Sequence, residues 1–109
     1  MIVVRVIYQI KANERDEFLQ KVEEKKIRKL LSEQPGNIDF RFAVPVDNDS
    51  QVELIDSWEN EKSFWAHVFC EPNQKLFLPL IEKYAEDQKN IFYDAEQDEH
   101  FIDRMQKFA

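Results

Sequence analysis

Residues 38–58 read IDFRFAVPVDNDSQVELIDSW, and this stretch decides the fold. Ile38, Phe40, Phe42, Val44 and Val46 keep strict period two, the pattern of a strand with one buried face. Asp47-Asn48-Asp49-Ser50 is a polar turn cluster. QVELIDSW then resumes the alternation, with Val52, Leu54, Asp56 and Trp58 sharing a face. The spacing predicts a β-hairpin. Pro45 has no N–H to give to a ladder, so it predicts an edge strand or a bulge.

On the N-terminal side, residues 2–10 (IVVRVIYQI) are rich in β-branched residues and read as a strand. Both parities are partly apolar, which predicts cover on both faces of the sheet. Asn13 is a suitable N-cap, and Glu14, Asp16 and Glu17 favour a helix start. Phe18, Leu19, Val22, Ile27, Leu30 and Leu31 follow at helical spacing, predicting one helix over 14–33 that ends at Pro35-Gly36. Its charged side, EEKKIRK, allows a Glu23–Lys26 pair.

On the C-terminal side, Asn60 caps a second helix whose apolar stripe is Phe64, Trp65, Val68 and Phe69. Pro72 breaks and restarts it. Leu76, Phe77, Leu80, Ile81 and Tyr84 continue the stripe, and Pro79 predicts a kink or another restart. A last strand is predicted over 90–95 (NIFYDA). Phe101, Ile102, Met105 and Phe108 predict a short amphipathic helix in the tail, which would then dock.

The order β-α-β-β-α-β is the ferredoxin-like α+β pattern on one antiparallel sheet, here a domain over 1–95 with a tail over 96–109. Helices cover only one face of such a sheet. Since both strand parities are apolar, the other face is expected to meet a second copy in a twofold homodimer.

Composition narrows the function. The 109 residues carry 15 Lys+Arg against 22 Asp+Glu, a net charge of −7. That argues against nucleic acid and against a polybasic membrane contact. One glycine, Gly36, leaves no Gly-rich phosphate loop. One cysteine, Cys70, leaves no internal disulfide and reads as a buried, inert thiol. No His/Asp/Glu set has metal-ligand spacing, so no metal is expected. No apolar run approaches the ~20 residues of a membrane span. The N-terminus lacks a basic segment followed by a hydrophobic block, so a cytoplasmic location is expected.

Two segments carry a family resemblance. SEQPGNIDFRF resembles the joint between first helix and second strand in the antibiotic biosynthesis monooxygenase (ABM) domain family. LIDSWENEKSFWAHVFCEPNQKLF resembles that family's second signature, with Asp56, Trp58, Ala66-His67 and Pro72 in place. The resemblance covers residues 1–95 in element order. It implies a dimeric α/β barrel with a small apolar pocket in each subunit. It also implies a monooxygenase that needs neither metal nor flavin, acting on quinols or anthrones by removing a proton and letting the anion reduce O₂. The sequence departs from the family pattern at three places. Asn73-Gln74 stand where many members have His-Phe. Leu54 stands where the polyketide-oxidising branch has Asn. The haem-degrading branch's Asn and His positions fall at Val6 or Ile7 and near Phe77, so haem cleavage is not expected.

The candidate catalytic residues are His67, Asp56 and Trp58. Trp58 is either a stacking wall of the pocket or a core aromatic with its N–H satisfied. Asp56 points the same way as Trp58. It is either a general base raised by burial or a salt-bridge partner of Arg5 or Arg41. His67 either accepts a phenolic proton or holds the helix to the strand end. Tyr8, Leu54 and Phe64 are candidate substrate-binding residues. Tyr8 and Tyr93 lie on adjacent strands, and either hydroxyl is a candidate for the pocket. Three function classes stand: a cofactor-free monooxygenase on a small hydrophobic substrate, a non-catalytic dimeric ligand-binding or stress-associated module, and a small-carbonyl isomerase.

Overall fold

The computed structural model describes residues 1–108. The first strand, β1, is Ile2–Ile10, as its β-branched run predicts. Two helices follow, α1 (Arg15–Glu24) and α2 (Ile27–Ser32). The single helix predicted over 14–33 is therefore broken. Lys26 sits in the left-handed region at φ 57°, which turns the chain between them. Phe18 and Val22 on one helix, Ile27 and Leu31 on the other, all remain buried across that turn. Asn13 also has positive φ, 65°, and the cap position falls to Glu14 without a side-chain bond. Glu23 pairs with Arg28 rather than Lys26.

Strand β2 (Asn37–Ala43) ends before Pro45, shorter than the alternation to residue 46 suggested. Strand β3 is Gln51–Trp58. Helix α3 (Glu61–Phe69) begins where expected: the Asn60 side chain accepts the Ser63 N–H. A five-residue π-helical turn, Asn73–Phe77, then leads into α4 (Leu78–Tyr84). Pro79 lies in the first turn of α4. There its missing N–H costs nothing, and the wide turn ahead of it absorbs the ring that a continuous helix would reject.

Strand β4 is Ala85–Asp94, starting five residues before the predicted strand. Helix α5 (Glu99–Gln106) forms in the tail, capped by the Asp98 side chain on the Phe101 N–H. None of its residues is buried, so the docked tail helix is not what the structure shows.

The sheet order is β2-β3-β1-β4, with every neighbouring pair antiparallel. β2 and β4 are the edges. The core lies between one sheet face and the helices. Val4, Val6, Tyr8 and Ile10 of β1 and Val52, Leu54 and Trp58 of β3 point into it. Phe18, Val22, Leu31, Phe77 and Tyr84 meet them from the helices. The opposite face carries half-buried Val3, Ile7, Ile55 and Ile91 beside an Arg5–Glu53 ion pair. No described helix is long and apolar enough to cross a membrane.

Candidate functional site

Period-two alternation along β3 places Asp56 on the helix-covered face, opposite Val4 on β1 and Phe40 on β2. It is among the most deeply buried side chains. Trp58 lies two residues on and so shares the face. Its indole N–H donates to Asp56 Oδ2 at 2.6 Å. Oδ1 of the same carboxyl is buried with no partner. Burial pushes the Asp56 pKa up to about 6; the Trp58 N–H opposes the rise and the Asp39 charge adds to it. The alternative reading, a salt bridge to Arg5 or Arg41, is not formed: Arg5 pairs with Glu53 and Arg41 with Asp39.

The Asn60 cap fixes the phase of α3. Seven residues later, nearly two full turns, His67 returns to the sheet side. Its ring stacks on Trp58, centroids 4.5 Å apart and planes 21° from parallel. Phe40 and Phe64 flank it at 5.9 and 6.2 Å. Nδ1 is buried and has no partner. Burial depresses the His67 pKa to about 4, so the imidazole is neutral at pH 7.

Asp56 and His67 both open onto a cavity of about 290 Å³ between the sheet and α3–α4. Val4, Val6, Tyr8 and Leu54 form its floor, and Phe64, Val68 and Phe77 its roof. Tyr8 packs edge-on to Phe77 at 6.3 Å. Burial and the nearby Asp56 charge drive its hydroxyl pKa well above the phenol range. His67 also borders a second depression, of about 300 Å³, on the Pro35, Asn60 and Ser63 side of α3. The imidazole is thus a wall common to two cavities.

Of the six residues singled out in the sequence, Asp56, His67, Tyr8, Leu54 and Phe64 line one cavity. Trp58 does not. It is fully buried behind the pair, bonded to one and stacked on the other. Tyr93 is not in the cavity either: it stands opposite Val3, on the uncovered sheet face. Three polar residues of the cavity were not among the candidates. Asn73, in the π-helical turn, is buried and donates to the Val68 carbonyl at 2.9 Å. Gln88 and Asn90, bonded to each other at 2.8 Å, line it from β4. The alternation of Gln88, Asn90 and Phe92 was the available signal, hidden because the strand's first half is polar. Among the described residues, no three His, Cys, Asp or Glu side chains converge to hold a metal ion.

Comparison with curated proteins returns no match. Solved structures with the same fold are numerous. A candidate antibiotic biosynthesis monooxygenase from Nitrosomonas europaea superposes with a TM-score of 0.79 at 16% identity, covering 89% of this chain and all of that one. A conserved protein from Methanosarcina mazei gives 0.74 at 20% identity, covering 87% of this chain and 92% of that one. A candidate monooxygenase of the same kind from Deinococcus radiodurans gives 0.77 at 12% identity, covering 90% and 95%. At such identities the likeness shows the fold. The profile of the antibiotic biosynthesis monooxygenase family matches residues 1–69, well over half of the chain, and includes Asp56, Trp58 and His67. The chain belongs to the antibiotic biosynthesis monooxygenase family.

Proposed function

We propose that the protein is a cofactor-independent monooxygenase acting on a small hydrophobic quinol- or anthrone-like substrate. One observation carries this reading: an apolar cavity lined by Asp56, whose buried carboxyl keeps one oxygen without a hydrogen-bond partner. A flat, enolisable substrate fits such walls, and about 290 Å³ suits one small ring system. The chemistry asked of the protein is modest. Asp56 takes the acidic proton of the substrate. The resulting anion reduces O₂, and its radical and superoxide combine to a peroxide. Loss of water leaves a new carbonyl, so one oxygen atom enters the product and the other leaves as water. The neutral His67 imidazole orients the substrate or takes the second proton. Apolar walls keep water from the anion.

Asp56→Asn keeps the shape and the bond from Trp58 but removes the base. Turnover of an anthrone or a quinol, followed by oxygen consumption, should fall by roughly 10²–10⁴-fold. Turnover that persists without O₂ would instead point to the isomerase. Absence of turnover on any such substrate would favour the ligand-binding module. That second reading has one observation behind it: Asn73 spends its side-chain N–H on the Val68 carbonyl, as a structural clasp would.

The working unit in this reading is a cytoplasmic homodimer joined through the uncovered sheet faces, whose half-buried isoleucines and valines a second copy would cover. Sedimentation should give twice the chain mass at micromolar concentration; a stable 13.2 kDa species would refute it.

A further inference from the structure

We infer that α5 is a lid that closes over the mouth of the cavity in its own subunit. This rests on the cavity alone and not on the oxygenase reading. The mouth is rimmed by large apolar side chains left in water: Trp65 is 47% exposed, Leu78 39% and Phe92 52%, and all three line the cavity. A second set of exposed apolar side chains lies on α5. Phe101 is 59% exposed and Met105 51%, one helical turn apart on the same side.

The two sets are close along the chain. Phe92 is in the last turn-length of β4, touching Phe64 edge-on at 5.0 Å. The strand ends at Asp94 and α5 starts at Glu99. Ala95 is held by its N–H on the Met1 carbonyl, so the pivot lies in residues 96–98. A tether of that size reaches ~10 Å. The eight residues of α5 make a helix of ~12 Å, and the β4 side of the rim from Gln88 to Phe92 spans ~14 Å. Tether and helix therefore match the mouth in reach and in length.

An isolated helix of eight residues is marginal in water, so α5 gains from any apolar surface that it can meet. The uncovered sheet face is the competitor. Its Arg5–Glu53 and Arg41–Asp39 ion pairs break up the apolar surface that a single eight-residue helix could meet. Among the described residues the mouth has no ion pair across it; the surface carboxylate at its edge is Glu61, which accepts the Trp65 indole N–H. Closure would bury Phe101 and Met105 against Trp65 and Phe92, and would shut water out of the space above Asp56.

Fluorescence quenching by acrylamide tests this on the full chain. The protein has two tryptophans, and Trp58 is fully buried, so quenching reads Trp65. The double variant Phe101→Asp/Met105→Asp should raise the quenching constant at least twofold. The conservative Phe101→Leu/Met105→Leu should leave it at the parent value. Circular dichroism should show the same cooperatively folded core for all three, with the aspartate variant losing no more than the docking contacts of α5, because no α5 residue is part of the core. Equal quenching in the parent and the aspartate variant would overturn the lid. Protection that disappears on dilution would overturn it too, by assigning the helix to a neighbouring copy.

Discussion

The Trp58 indole N–H and Asp56 Oδ2 are 2.6 Å apart, so one oxygen of the buried carboxyl is occupied and the other is left without a partner. The bond crosses no loop: donor and acceptor are neighbours on one face of β3. Trp58→Phe keeps a ring against His67 and removes the donor. The Asp56 pKa should then rise above about 6, because the indole N–H is what opposes the effect of burial. The acid limb of a pH–rate profile should move upward with it. Urea melts should show a loss of ~1–3 kcal/mol for a buried acceptor left without its donor. An unmoved acid limb would mean that Asp56 is not the titrating group.

Asp56 and His67 also act on stability in opposite directions. Asp56 is protonated in the folded chain between its ordinary 3.8 and about 6, while the unfolded chain has already lost that proton. Stability from this group therefore falls as pH rises through that window. His67 is neutral in the folded chain between about 4 and 6.5, while the unfolded chain holds a proton. Stability from this group rises with pH over nearly the same window. The two slopes, each up to about 1.4 kcal/mol per pH unit, largely cancel. Single variants should uncover them. Denaturation midpoints of Asp56→Asn should rise between pH 4 and 6 relative to the parent, and those of His67→Gln should fall. Parallel curves for all three proteins would sink the assignment.

His67→Ala should lower turnover by roughly 10²-fold if the imidazole handles a proton. It should also cost ~2–3 kcal/mol of stability, because the ring is buried against Trp58 and its removal leaves a cavity. His67→Gln fills more of that space, so it separates the two effects. Stability recovered without activity is the expected result, read by chemical melts alongside oxygen uptake.

Gly36 holds φ at 83° in the turn before β2, and a Cβ there would lie 2.2 Å from Ser63 Oγ. Ser63 is on α3, one turn before His67. Gly36→Ala should therefore cost ~1–3 kcal/mol and disturb the helix that positions the imidazole. Adding Ser63→Gly should recover part of the melting temperature; no recovery would place the whole cost in the backbone.

The architecture was legible because β1 and the 38–58 hairpin follow simple alternation, and because Asn60 signals a helix start. The break at Lys25-Lys26 was not. Its driving force is the burial of Ile27 and Leu31 under the sheet, and a charged run carries no trace of that. The start of β4 was hidden for a related reason: an edge strand can be polar along one half, and AEDQKN lacks β-branched residues. Asp56 and His67 could be placed in one cavity from strand parity and helix phase. Trp58 could not be placed behind them, since period two tells which face a side chain takes and not how deep it lies.

The π-helical turn at Asn73–Phe77 has a consequence for comparing this chain with its relatives. The Leu78 N–H reaches back five residues, to the Asn73 carbonyl, so the turn holds one residue more than an α-helix would. Deleting one residue there would restore a regular α-helix and leave Leu80 and Tyr84 facing the sheet, because the wide turn absorbs the extra residue locally. An ungapped match to a relative with a regular helix would then pair core positions with surface ones from Phe77 onward. Position-by-position transfer of roles past Pro72 needs a one-residue gap, placed by superposition and not by counting.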